Sequence, residues 1–144
     1  MPESNEPPAL PDFEEVEHTA DWALRVRGRD LRELLVNAAR GMSSLLIPEP
    51  DSIPTNVEAR LEIEAEDAES LLVNWLSELA YWAEMEGIVY SRFVLDRVAP
   101  TYFLAVVRGG HVADLNKHIK AVTYHNLEIV ETTEGLETTV VFDV

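Results

Sequence analysis

The sequence predicts an α+β fold: a single layered domain with two amphipathic helices packed on mainly antiparallel β-sheet. Three observations predict it. Two segments repeat apolar residues at helical spacing. Two others alternate apolar and charged residues with a period of two. The C-terminal half reads as hairpins punctuated by Pro and Gly.

Residues 1–12 (MPESNEPPALPD) hold four of the eight prolines and little to bury, so they read as a disordered tail before a domain spanning 13–144. An extended stretch runs from Phe13 to His18. Trp22, Leu24 and Val26 then alternate with Ala23, Arg25 and Arg27, a strand with one wet face that Gly28 ends. Asp30 and Glu33 have capping-box spacing, and Leu31, Leu34, Leu35, Ala38, Ala39, Met42, Leu45 and Leu46 follow at helical spacing until Pro48. Val57, Ala59, Leu61, Ile63 and Ala65 alternate with charged residues, the clearest strand pattern in the chain. Asp67 can cap a second helix, whose apolar stripe includes Leu71, Leu72, Trp75, Leu76 and Leu79 and which Gly87 stops.

Ile88–Val98 and Thr101–Arg108 form a predicted hairpin turning at Ala99-Pro100. Its second strand is apolar on both faces and therefore central. Gly109-Gly110 reads as the start of a loop. His118–Glu131 and Leu136–Val144 form a last predicted hairpin turning near Glu134-Gly135, which would set Asp143 opposite Tyr124 and His125.

The 144 residues include 27 acids and 11 Lys or Arg, a net charge of −16, with 47% hydrophobic residues. That content excludes wholesale disorder. Scattered cations in an acidic chain argue against direct nucleic-acid binding, which needs clustered Lys and Arg. The charge favours cations and basic protein surfaces. There is no cysteine, so no disulfide, thiol nucleophile or thiolate metal site. No apolar run reaches membrane-spanning length and the N-terminus does not resemble a secretory signal, which points to the cytoplasm and away from membranes.

Asp21, in Glu17-His-Thr-Ala-Asp21, and Asp143, beside the carboxylate of Val144, offer oxygen ligands to a hard cation such as Ca²⁺, Mg²⁺ or Mn²⁺. Spacing alone favours reading them as solvated loop or strand-end acids. His18 and His125 read as half-buried histidines bonded to backbone, and His111 and His118 as exposed. Lys120, the lone cation from Ile119 to Tyr124, is either an edge-strand lysine or a group that reaches a carboxylate or a partner. No phosphate-binding, zincin or serine-hydrolase motif occurs. A stand-alone metal-dependent hydrolase would need a general base that the sequence does not offer.

Four segments in order, His-Thr-Ala-Asp (18–21), Leu-Leu-Val-Asn-Trp-Leu-Ser-Glu-Leu (71–79), Lys-Ala-Val-Thr-Tyr-His-Asn-Leu (120–127) and Val-Val-Phe-Asp-Val (140–144), resemble the archease family over residues 13–144. The resemblance implies a non-enzymatic cofactor of the RtcB-type RNA ligase. That ligase joins RNA ends in tRNA splicing and RNA repair, using GTP and a divalent metal. The resemblance further implies promotion of that ligase's guanylylation and multiple turnover. An older reading of the family is a chaperone-like modulator of RNA-modifying enzymes. The resemblance implies a metal site at Asp21, Asp143 and Val144, most readily for Ca²⁺, with Lys120 and His118 facing the partner. His118 departs from the family pattern, which often has an acid there. Asn74 stands where an Asp is common, and Lys117 can stand in for the family's basic loop residue.

Overall fold

The computed structural model describes residues 9–16 and 22–144. Strands β1 (Phe13–Val16) and β2 (Trp22–Gly28) lead into helix α1 (Leu31–Leu46). Strand β3 (Val57–Glu64) follows, then helix α2 (Ala68–Glu86). Strands β4 (Ile88–Ala99), β5 (Tyr102–His111), β6 (Ala121–Thr123), β7 (Val130–Thr132) and β8 (Gly135–Asp143) complete the chain.

Local chemistry explains the helix limits. The Asp30 carboxylate accepts from the Glu33 N–H at 2.9 Å, and Asp67 accepts from Ser70 N–H at 2.7 Å, each satisfying a donor that a helix N-terminus leaves free. The return half of the capping box differs from the expectation. Glu33 accepts from Arg29, at its N–H and at its guanidinium, rather than from the cap residue. Gly87 ends α2 in the left-handed region (φ 64°), where its N–H donates to the Ala83 carbonyl.

All the strand pairings are antiparallel and make two sheets. One has the order β1-β2-β8-β6, with β7 also on β8; the other is β3-β5-β4. The second sheet confirms β5 as central. α1 packs on β2 of one sheet and β4 of the other, and α2 packs on β3, β4 and β6, so the helices tie the sheets through one shared core. Trp75 lies at its centre, fully buried, edge-on to Phe93 and Phe103 at 5.9 and 5.1 Å, with Nε1 donating to the Leu35 carbonyl at 2.9 Å. That bond joins α2 to α1 while satisfying the indole.

Two expectations are corrected. Gly109 and Gly110 do not open a loop; β5 runs through them to His111. A Cβ on Gly109 would overlap the Val89 carbonyl oxygen, and the ladder shifts register nearby, between Tyr90 and Arg92. Gly109 therefore serves close approach of β4, and Gly110 close approach of the Pro54 carbonyl, rather than opening a loop. The last hairpin is also not continuous. Val130 pairs with Glu137, yet Asp143 pairs with Ala121, not with Tyr124 or His125. Three extra residues are taken up between β6 and β7, where Asn126 adopts φ 50°. β6 and β7 thus lie in succession along one edge of β8.

Candidate partner-facing site

The corner where β8 ends is built by three backbone bonds that pin the segment from Val112 to Lys120. Val112 N–H donates to Gly87 O at 2.9 Å, Asn116 N–H to Leu46 O at 2.7 Å, and Lys120 N–H to Asp143 O at 2.8 Å. The last of these sets Lys120 beside Asp143. Both side chains are exposed, and Val144 is half-buried against the core. Lys120 makes no ion pair with another described residue.

Asp21 and His18 lie outside the described residues. Asp21 precedes Trp22, Trp22 pairs with Phe142, and Asp143 follows Phe142. Nothing local in the sequence relates Asp21 to Asp143, and the described β2–β8 register begins at Trp22 and Phe142. Among the described residues, no group of three or more His, Asp or Glu converges. Asp143 and the Val144 carboxylate are oxygen donors suited to a hard cation, and a fuller donor set needs Asp21.

His118 is exposed, as expected, and its Nδ1 lies 3.0 Å from Glu84 Oε2 on α2. A carboxylate therefore does stand at this point of the surface, contributed by the helix. Sequence reasoning missed Glu84 because its proximity depends on α2 packing beside the 112–120 segment. Lys117 does not project freely. Its Nζ sits 3.6 Å over the Trp22 ring and 2.8 Å from Glu15 Oε1, bridging the segment to β1 and β2. His125 is exposed rather than half-buried, and its N–H donates to Thr123 Oγ1 at 3.3 Å.

Behind the corner, Arg27 donates through Nε to Glu137 at 2.7 Å and through Nη2 to Glu14 at 3.1 Å, and Arg25 donates to Glu14 at 2.9 Å. Hydrogen bonds from Arg25 and Arg27 hold the Glu14 carboxyl below the usual carboxylate range. These half-buried pairs cross-link β1, β2 and β8. A groove of about 320 Å³ separates α2 from β6, lined by Tyr81, Glu84, Met85, Ile119, Lys120 and Val122 among others. No helix among the described residues is long and apolar enough to cross a membrane.

Residues 13–144 match the model of the Archease protein family (MTH1598/TM1083). The chain is 34% identical to the protein archease of Methanosarcina barkeri over 140 residues, covering 92% of this chain and 95% of that one. It is 35% identical to the protein archease of Methanopyrus kandleri over 130 residues, covering 85% and 91%. A solution structure of Methanobacterium thermoautotrophicum protein 1598 superposes with a TM-score of 0.74 at 26% identity, covering 92% of this chain and 99% of that one. A crystal structure from Thermotoga maritima, of an archease described as a possible chaperone, superposes with a TM-score of 0.65 at 25% identity, covering 91% and 96%.

Proposed function

The chain belongs to the archease family, and from that premise we propose that it is a non-enzymatic, metal-binding accessory protein of an RtcB-type RNA ligase. In this reading it promotes ligase guanylylation and multiple turnover in tRNA splicing and RNA repair. The observation that supports it most is the Lys120–Asp143 backbone bond, which joins the two main chains at a corner where both side chains are exposed. Asp21, Asp143 and the Val144 carboxylate would hold a hard divalent cation, Ca²⁺ foremost, with Mg²⁺ or Mn²⁺ as alternatives. Such an ion neutralises clustered carboxylates and offers positive charge to a phosphate. Lys120 supplies a point charge to a carboxylate or phosphate of the partner, and the Glu84–His118 pair borders the contact. The charge of −16 steers the corner toward a basic, metal-bearing cleft.

The test is guanylylation and turnover of the cognate ligase with GTP and a divalent metal, with wild type and with Asp21→Asn, Asp143→Asn and Lys120→Ala. Loss of activation by folded variants, together with weaker Ca²⁺ or Mn²⁺ binding by the two Asn variants in calorimetry, is the expected outcome. Full activation by all three would overturn the reading. One added residue after Val144 should weaken metal binding as well, by displacing the carboxylate.

A chaperone-like modulator of RNA-modifying enzymes is the second reading. It is favoured by the exposed apolar side chains Tyr81, Met85 and Tyr124. Suppression of aggregation of unrelated client proteins, unaffected by Asp143→Asn, would favour it.

A further inference from the structure

We propose that the groove between α2 and β6 seats an apolar side chain of the partner ligase, carried on a segment with lysine or arginine on either side. This rests on the ligase-accessory reading above and names the surface that would carry its affinity.

Ser77, Tyr81 and Met85 are spaced four residues apart and form one line along α2. α2 already buries Leu72, Trp75, Leu76, Leu79 and Ala83 in the core, so this line is a second stripe that the core does not use. Tyr81 is 53% exposed and Met85 65% exposed, although both border a groove floored by buried Ile119 and Val122. Single exposed apolar residues need no explanation. Two that wall one groove, together with a lysine at its edge, form a surface with direction. Tyr supplies a rigid anchor, and Met adapts to the shape it meets.

Charge selects the occupant. The chain carries −16; Glu84 lines the groove, and Asp143 is joined to Lys120 at its end. Within the groove Glu84 and Lys120 offset each other, so the preference for a basic-flanked segment comes from the net charge of the whole chain. Lys120, with no ion partner among the described residues, offers the one complementary contact for an acid of the partner. Lys120 thus belongs both to the groove and to the Asp143 corner, so a segment seated there delivers the corner to a fixed place on the ligase.

The experiment titrates the full chain into the cognate ligase, reading binding by calorimetry and activation by guanylylation. Tyr81→Ala with Met85→Ser leaves the corner intact. It should raise both the dissociation constant and the half-activating concentration about tenfold or more, with the activation plateau retained. Asp143→Asn should lower the plateau instead. A photo-crosslinker at position 85 should capture a ligase segment with an apolar residue between cations. If the double variant keeps its fold and binds as wild type does, or if the crosslink falls on an acidic segment, the groove proposal is overturned while the corner reading stands. If wild type neither binds nor activates the ligase, both fall.

Discussion

The main-chain N–H of Lys120 donates to the carbonyl oxygen of Asp143 at 2.8 Å. The bond belongs to the backbone, so either side chain can change without breaking it. Lys120→Ala and Asp143→Asn should each move the thermal midpoint by no more than about 3 °C, as surface substitutions do. A large fall in either melt would show that the corner is structural.

Trp75 carries the opposite expectation. It is fully buried between Phe93 and Phe103, and its Nε1 donates to Leu35 O. Trp75→Ala should cost about 3–5 kcal/mol in urea unfolding. Under the proposed function, what folded protein remains should still activate the ligase, because Trp75 lies in the core and not at the corner.

Gly109→Ala sets a Cβ against the Val89 carbonyl within the β4–β5 ladder. The backbone on both sides is held by neighbours, so relief must come from shifting a strand. We expect a loss of about 1–3 kcal/mol, measured as a lower urea midpoint. An unchanged midpoint would mean that the bulge near Tyr90 absorbs the methyl group.

Acid should weaken the fold through two carboxylates held below their ordinary range. Glu14 is lowered by its bonds from Arg25 and Arg27, and Asp67 by the backbone bond from Ser70. A depressed carboxylate stabilises the fold above its unfolded value and loses that contribution as pH falls through the folded value. Stability should therefore decline below about pH 4. Glu14→Gln and Asp67→Asn should each flatten that decline, seen in urea midpoints between about pH 7 and pH 2.5. A decline as steep as wild type in both would assign the acid sensitivity to other groups.

The isolated protein should show no appreciable affinity for RNA at physiological salt, given 11 cations against 27 acids. Fluorescence anisotropy with a labelled tRNA half checks this. Tight binding that weakens as salt rises would replace the protein-partner reading with direct RNA contact.

Where the chain's local preferences and its packing agree, the fold is legible in the sequence. Asp30, Asp67 and Gly87 delimit the helices as their chemistry predicts, and the alternation from Val57 to Ala65 reads directly as β3. The pattern fails where a residue answers to a distant backbone. Gly109 has the look of a turn but is needed for strand approach. The three residues absorbed between β6 and β7 have no periodic mark, so Asp143 meets Ala121 rather than Tyr124. At the corner, Lys120, His118 and Asp143 are visible as residue types, whereas Glu84 and the groove residue Tyr81 emerge only once α2 lies beside β6; Met85, whose helical spacing with Trp75 and Trp82 reads as core packing, is 65% exposed instead.

The Lys117–Trp22 stack has a practical consequence. An indole's emission shifts with the field of a nearby charge, and here an ammonium sits 3.6 Å from the ring centroid. Trp22 directly follows Asp21 in the chain, so this fluorophore adjoins the acid proposed to hold a metal. Trp75, enclosed by the core, provides a steady background signal. Titrating Ca²⁺ while recording the spectrum, with Trp22→Phe as the blank, gives an optical readout of the corner with no label attached.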